Sequence, residues 1–296
     1  MSTELQMDVA SLHATIATLG RTLGGDTRDT TQALYAPFHP ALPPQRVIRD
    51  VTYGEHPRHL LDIHLPTTLP DAPLPVLVFV HGGGFVAGDK GGPGRPLHDN
   101  IGRFAVEHGF IGVTIIYRLA PEHVFPAGAE DVAAAVAFLS GMISDYGGDP
   151  THIVAMGHSA GAAHVASCVA SSELSGRATG LCAAVLSSGI YDPAALLGEV
   201  STAYYGEDSS AWPAMASREG LCSTTLPLMF IVAEHDPADF HRQAVLVAKD
   251  YVDVHGHLPN LVIGQGHNHF SSPAHYGTVD DELASQVARF VASVTH

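Results

Sequence analysis

Cysteine and positive charge are both scarce in this chain. Only three of its 296 residues are cysteines, Cys168, Cys182 and Cys222, and no two form a C-x-x-C pair. A sparse, odd set of this kind reads as reduced thiols in a cytoplasmic protein. The opening stretch, MSTELQMDVASLHATIATLG, has acids where a secretory leader needs positive charge, and it lacks an unbroken apolar core. No apolar run reaches the roughly 18 residues that a membrane helix needs. Lysine and arginine total 14 against 30 acids, for a net charge of −16. With no basic cluster, nucleic acid and anionic membrane surfaces are poor partners. Repeats and low-complexity segments are absent, and no pattern specifies an oligomeric state. Histidine is abundant, at 20 residues, but H-E-x-x-H is missing. Only GHNHF (His267, His269) and DVHGH (His255, His257) bring two together, so no metal and no cofactor are expected.

What is present alternates between buried-strand and helix patterns. Leu5, Val9, Leu12, Ile16 and Leu19 make a weak helical stripe within residues 1–35. HPALPP at 39–44 breaks it. RVIRDVTYG and RHLLDIHLP read as a hairpin. LPVLVFV (74–80) reads as a strand buried on both faces and FIGVTIIY (110–117) as a second buried strand; HIVAMGHS (152–159), LCAAVLSSG (181–189), LPLMFIVAEHD (226–236) and NLVIGQG (260–266) read as further strands. Helices are expected over 129–148 (Val132, Val136, Leu139, Ile143), 160–171, 239–256 and 280–294 (Leu283, Val287, Phe290, Val294). The fold class is therefore α/β: a mainly parallel sheet flanked by helices. Residues 46–296 form the catalytic domain. Residues 1–45, with an insertion at about 190–225, form a small cap over the carboxyl rim of the sheet, where such folds bind ligands.

Two glycine clusters reach that rim: HGGGFVAGDKGG (81–92) and GHSAG (157–161). Neither fits a phosphate loop. Asp89 stands where a P-loop has lysine, and no helix follows the first cluster as a dinucleotide fingerprint demands. GHSAG between a strand and a helix is instead the pattern of a nucleophile elbow, which lifts Ser159 above the sheet. Its base and orienting acid should follow in the order acid, then histidine. Asp236 lies just past an apolar run and before a proline. Glu234 belongs to the strand, and Asp239 caps the next helix. His269 and His267 both lie on the loop after the last strand. Gly83, Gly84 and Ala160 are placed to offer backbone N–H groups to a developing oxyanion. His158 and Phe85 are candidates for substrate contact.

HGGGF, YRLAPEHVFPAGAED (117–131), GGDP (147–150) and GHSAG together resemble the hormone-sensitive-lipase-like branch of the α/β-hydrolases. The resemblance spans about residues 74–296. It implies a serine carboxylesterase acting on small-molecule esters of short to medium chain, with no metal or cofactor. In that family the acid precedes proline, as Asp236 does, and the histidine precedes Gly-Phe. His269-Phe270 matches the latter in part, which favours His269 over His267. Arg118, Glu122 and Asp131 are implied to be structural, holding the floor of the site. EHDPADFHRQ (234–243) and HNHF (267–270) also look like arylformamidase and feruloyl-esterase-like relatives, so N-formyl amide hydrolysis is the second reading. A ligand-binding protein without catalysis is a third.

Overall fold

The N-terminal stripe folds as two helices, α1 (Val9–Thr18) and α2 (Gly25–Tyr35). In this computed structural model residues 7–39, 46–92, 96–197 and 202–295 are described. Leu5, residues 40–44 of the proline-rich break and residues 198–201 of the 190–225 segment lie outside them. Asp8 caps α1 by accepting from the Ser11 N–H at 2.7 Å. Leu12 and Ile16 are fully buried beside Tyr35, Phe38 and Ala274, which ties the helical pair to the body of the protein.

β1 (Arg46–Thr52) and β2 (Leu60–Leu65) form the expected antiparallel hairpin. β3 (Leu74–Val80) follows, then α3 (Pro96–Glu107), β4 (Ile111–Ile115) and α4 (Ala127–Met142). Next come β5 (Gly148–His158), α5 (Ala160–Ala170), α6 (Ser172–Arg177) and β6 (Leu181–Ser187). Two short helices, α7 (Thr202–Tyr205) and α8 (Arg218–Ser223), lead to β7 (Leu228–His235) and α9 (Ala238–His255). β8 (Asn260–Asn268), α10 (Ser271–Ala274) and α11 (Glu282–Val294) complete the chain.

The strands form one eight-stranded sheet in the order β1-β2-β4-β3-β5-β6-β7-β8. β2 runs antiparallel to its neighbours β1 and β4, and every pairing from β4 through β3 to β8 is parallel. Alternate side chains of β3 face opposite layers, as strand geometry requires. Val76, Val78 and Val80 pack with Val132, Val136 and Leu139 of α4 and Val165 of α5. Leu77 and Phe79 pack with Phe104 of α3 and Val287 and Val291 of α11. This two-sided burial explains why the strands read as unbroken apolar runs.

Several elements differ from the sequence pattern. α3 was not anticipated, because its start is irregular: Leu97 and His98 are non-helical, and His98 has φ +74°. α4 stops at Met142, continues as a 3₁₀ turn over Ile143–Tyr146, and ends at left-handed Gly147. Together these give a stretch, Ala127–Tyr146, long and apolar enough to cross a membrane, yet its Val132, Val136, Leu139 and Ile143 lie fully buried in the core. On α11 the fully buried face is Leu283, Ala284, Val287, Ala288 and Val291, whereas Phe290 and Val294 are half-buried. Within 190–225, α8 packs beside α5, burying Leu221 and Cys222, while Tyr204 and Tyr205 of α7 pack against Phe85, Ala160 and Ala163.

The chain reverses its direction of sheet growth at β3, which lies between β4 and β5. A crevice opens beyond the strand ends at such a switch. Val80 pairs with Gly157, so the first glycine cluster and the GHSAG turn leave adjacent strands side by side. His235 pairs with Asn268, which brings the loops after β7 and β8 together on the same rim.

Candidate active site

Ser159 sits between β5 and α5 at φ +54°, ψ −120°, a backbone region costly for a residue with a Cβ. The surroundings hold it there. Its N–H donates to Ser187 O at 2.9 Å, and its carbonyl accepts from Ala163 N at 3.1 Å. The flanking glycines are required by close approach. A Cβ on Gly157 would lie 2.4 Å from Gly161 O, and one on Gly161 would lie 2.1 Å from Val80 O. The spacing of G-x-S-x-G is thus a packing constraint on a turn wedged against β3.

The Ser159 hydroxyl lies 2.9 Å from His269 Nε2, and His269 Nδ1 lies 2.7 Å from Asp236 Oδ1. Asp236 is fully buried. Its other oxygen accepts from the Ser188 hydroxyl at 2.6 Å and from Ala233 N at 2.8 Å. Three donors thus hold the two oxygens of this carboxylate, which fixes its orientation toward the imidazole. Ser188 follows β6 at φ +49°. It was missed in the sequence, although LSSG places a polar pair at the end of a buried strand. Arg21, on the loop between α1 and α2, donates to Asp236 O at 3.3 Å. The ring of His269 packs on Phe240 at 4.5 Å and His158 at 4.7 Å.

The competing candidates point elsewhere. His267 Nδ1 lies 3.2 Å from Ser271 Oγ, and its ring packs on His13 and His275. Glu234, on the β7 strand as expected, accepts from Gly266 N at 2.8 Å. Asp239 is not the cap of α9, because Pro237 holds that position. Its carboxylate accepts from Leu197 N and Arg242.

Gly83 and Gly84 adopt φ +133° and +60°. Gly83 O accepts from both Val86 N and Ala87 N, curling the loop so that the N–H groups of Gly83 and Gly84 make no hydrogen bond among the described residues. Ala160, as the first residue of α5, has an N–H with no partner inside the helix. Gly84 and Ser159 share the walls of two cavities. One, of about 410 Å³, also includes Leu23, Arg28, Gly83, His158 and His269. The other, of about 300 Å³, includes Leu23, Phe85, Ala160, Ile190 and Leu196. Phe85 is 2% exposed, its ring stacked on Tyr204 at 4.4 Å and 3°.

The histidines beneath and beside the glycine loop are buried and held neutral. His81 is fully buried, stacked on Tyr117 at 4.4 Å, and Tyr117 donates to His81 O at 2.8 Å. Burial, with a smaller push from His98, drives the His81 pKa down to about 3. Burial and then the nearby His269 hold His158 well below the ordinary histidine value, so it stays neutral beside a base that must gain charge. Arg118 forms ion pairs with Asp131 at 2.7 Å and Glu130 at 2.8 Å. Glu122, expected to join them, is exposed and makes no hydrogen bond among the described residues; Glu130 has that place.

A hydroxyl, an imidazole and a buried carboxylate in sequence can activate an oxygen nucleophile. The solved structures with this arrangement of strands include esterase B of Lactobacillus rhamnosis, with a TM-score of 0.75 and 18% identity over 97% of both chains. A thermostable esterase of Pseudomonas putida gives 0.71 and 19%, over 96% of this chain and 97% of the other. The BD-FAE family model matches residues 61–189. The chain shares the fold of these esterases. Among curated relatives, a probable isoprenylcysteine alpha-carbonyl methylesterase of Oryza sativa is 39% identical over 42% of this chain and 27% of its own length. Carboxylesterase NlhH of Mycobacterium tuberculosis is 44% identical over 30% of this chain and 26% of its own length. The matched stretches thus span little more than a quarter of these relatives.

Proposed function

We propose that the protein is a serine carboxylesterase that hydrolyses short- to medium-chain carboxylic esters through an acyl-enzyme. The observation that carries this reading is the unbroken relay from Ser159 through His269 to Asp236, at 2.9 and 2.7 Å. The esterase names of the relatives support it.

His269 takes the Ser159 proton as Oγ attacks the ester carbonyl. The carbonyl π electrons move onto oxygen, where the N–H groups of Gly83, Gly84 and Ala160 receive the negative charge; each such donor is typically worth about 10²–10³ in turnover. Asp236 holds the imidazole with Nδ1–H toward itself and stabilises the imidazolium. Collapse of the intermediate breaks the C–O bond, and His269 gives its proton to the departing alkoxide. Water, deprotonated by His269, then attacks the acyl-enzyme; the acid leaves, and Ser159 regains its proton. The two cavities meeting at Ser159 divide acyl from alcohol groups. The described parts of 1–45 and 190–225 act as a cap that sizes them, through Leu23 and Arg28 on one side and Ile190 and Leu196 on the other. His158 and Phe85 serve as walls. A cytoplasmic location belongs to the same reading, supported by three free cysteines.

Hydrolysis of p-nitrophenyl acetate and butyrate, measured beside N-formylkynurenine, tests the proposal. Ester turnover should exceed formamide turnover, and Ser159→Ala should reduce it by about 10⁴–10⁶-fold. Retained ester hydrolysis in that variant would end the proposal. No observation favours the amide reading, since Gly84 leaves the oxyanion loop without the aromatic residue of the arylformamidase-like relatives.

A further inference from the structure

A second cluster of chemically capable side chains lies on the far side of the β8 tip from Ser159. It joins His13 of α1, Tyr35 of α2, His267 of β8 and Asp280 of the segment before α11. Asp280 Oδ2 receives His13 Nε2 at 2.9 Å and the Tyr35 hydroxyl at 2.5 Å. His267 Nε2 stands 3.9 Å from the same oxygen. Asp280 and His267 are each 2% exposed and His13 26%, which leaves an approach from solvent.

The hydrogen bonds around Ser271 assign a tautomer to His267. The Ser271 hydroxyl donates to Asn268 O at 3.2 Å and accepts from Asn268 N at 2.8 Å. With its one proton on Asn268 O, it accepts from His267 Nδ1, 3.2 Å away. Nδ1 carries the proton, and Nε2 turns its lone pair toward a carboxylate. Asp280 Oδ2 accepts from His13 and Tyr35, while His267 Nε2 faces it with no hydrogen bond among the described residues, an arrangement that a cation shared by His13, His267 and Asp280 would complete.

We propose that His13 Nε2, His267 Nε2 and an oxygen of Asp280 bind one zinc ion that fastens α1 to the end of β8. The three ligand atoms lie within 4.8 Å of one another; ligands about 2.0–2.1 Å from a tetrahedral ion sit about 3.3 Å apart, so shifts of roughly an ångström or less close the site. Two imidazoles and one carboxylate suit zinc rather than calcium or magnesium, and they leave a fourth position for water. The Ser271 hydroxyl on His267 Nδ1 and the Tyr35 hydroxyl on Asp280 are the outer partners that orient metal ligands. On binding, His13 carries its proton on Nδ1 instead of Nε2. Gly266 permits the close packing: a Cβ there would lie 2.2 Å from the His13 ring. The ligands come from positions 13, 267 and 280, which no local motif links.

The full chain, stripped with a chelator and titrated with Co²⁺ and then Zn²⁺, tests this. One Co²⁺ per chain should bind, with the intense visible absorption of four- or five-coordination, and zinc should displace it. His13→Gln, which keeps a hydrogen bond to Asp280 without the imidazole ligand, should weaken zinc binding at least about 10-fold, and Asp280→Asn should do the same. His257→Ala, at an exposed histidine, should leave it unchanged. No bound Co²⁺ at micromolar concentration, or equal affinity in His13→Gln and the parent, would overturn the proposal.

Discussion

His267 and His269 are two residues apart at the tip of one strand, yet they belong to different neighbourhoods. His269 faces Ser159 and Asp236 and packs on Phe240. His267 faces Ser271, His13 and Asp280. Residues at i and i+2 share a face only while a strand continues. β8 ends at Asn268, whose side-chain oxygen accepts from the N–H groups of Phe270 and Ser271. That turn carries His269 over the carboxyl rim and leaves His267 against the helical pair α1 and α2. The difference lies in where the chain leaves the sheet, not in the type of residue.

Breaking the reactive side should cost the most. Asp236→Asn keeps the shape of the carboxylate but offers an amide to His269 Nδ1, and kcat for p-nitrophenyl butyrate should fall by about 10⁴ with KM little changed. A fall of less than tenfold would place the orienting acid elsewhere. Buried imidazoles elsewhere in the protein extend the comparison to stability. Burial, foremost among the causes, holds His64 to a pKa of about 4 and His81 and His164 to about 3, against 6.5 unfolded. Between these values the unfolded chain binds more protons than the folded one, so stability falls as pH drops from 6.5 toward 3. Each such histidine contributes up to about 1.4 kcal/mol per pH unit. Urea unfolding at pH 7.5 and pH 5.0 should show lower stability in acid, and equal stability would contradict the neutral buried assignment. The smallest effect belongs to Ser188→Ala, which removes one donor from Asp236. A loss of about 0.5–1.5 kcal/mol in transition-state stabilisation, roughly 2- to 12-fold in kcat/KM, should follow. An unchanged rate would show that Ala233 N and His269 alone orient the carboxylate.

What could be read in the sequence was local. The serine elbow was legible because its glycine spacing reflects contacts inside one turn and with the adjoining strand. The glycine loop was legible because its residues are contiguous, and the parallel sheet because buried strands carry continuous apolar runs. Relations across the fold were not. Ser188 acts on Asp236 from another strand, and Glu130 rather than Glu122 meets Arg118 because α4 turns that side toward it. α3 begins with two non-helical residues and escaped the helical pattern. His267 and His269 stayed unresolved as alternatives, since only the end point of β8 separates them.

The most direct test sets those two residues against each other in kcat/KM for p-nitrophenyl butyrate. His269→Ala should lose several orders of magnitude, to within reach of Ser159→Ala. His267→Ala should lower the melting temperature while keeping kcat within about tenfold of the parent. The reverse ranking, or equal losses in two folded variants, would contradict the assignment of His269 as the base.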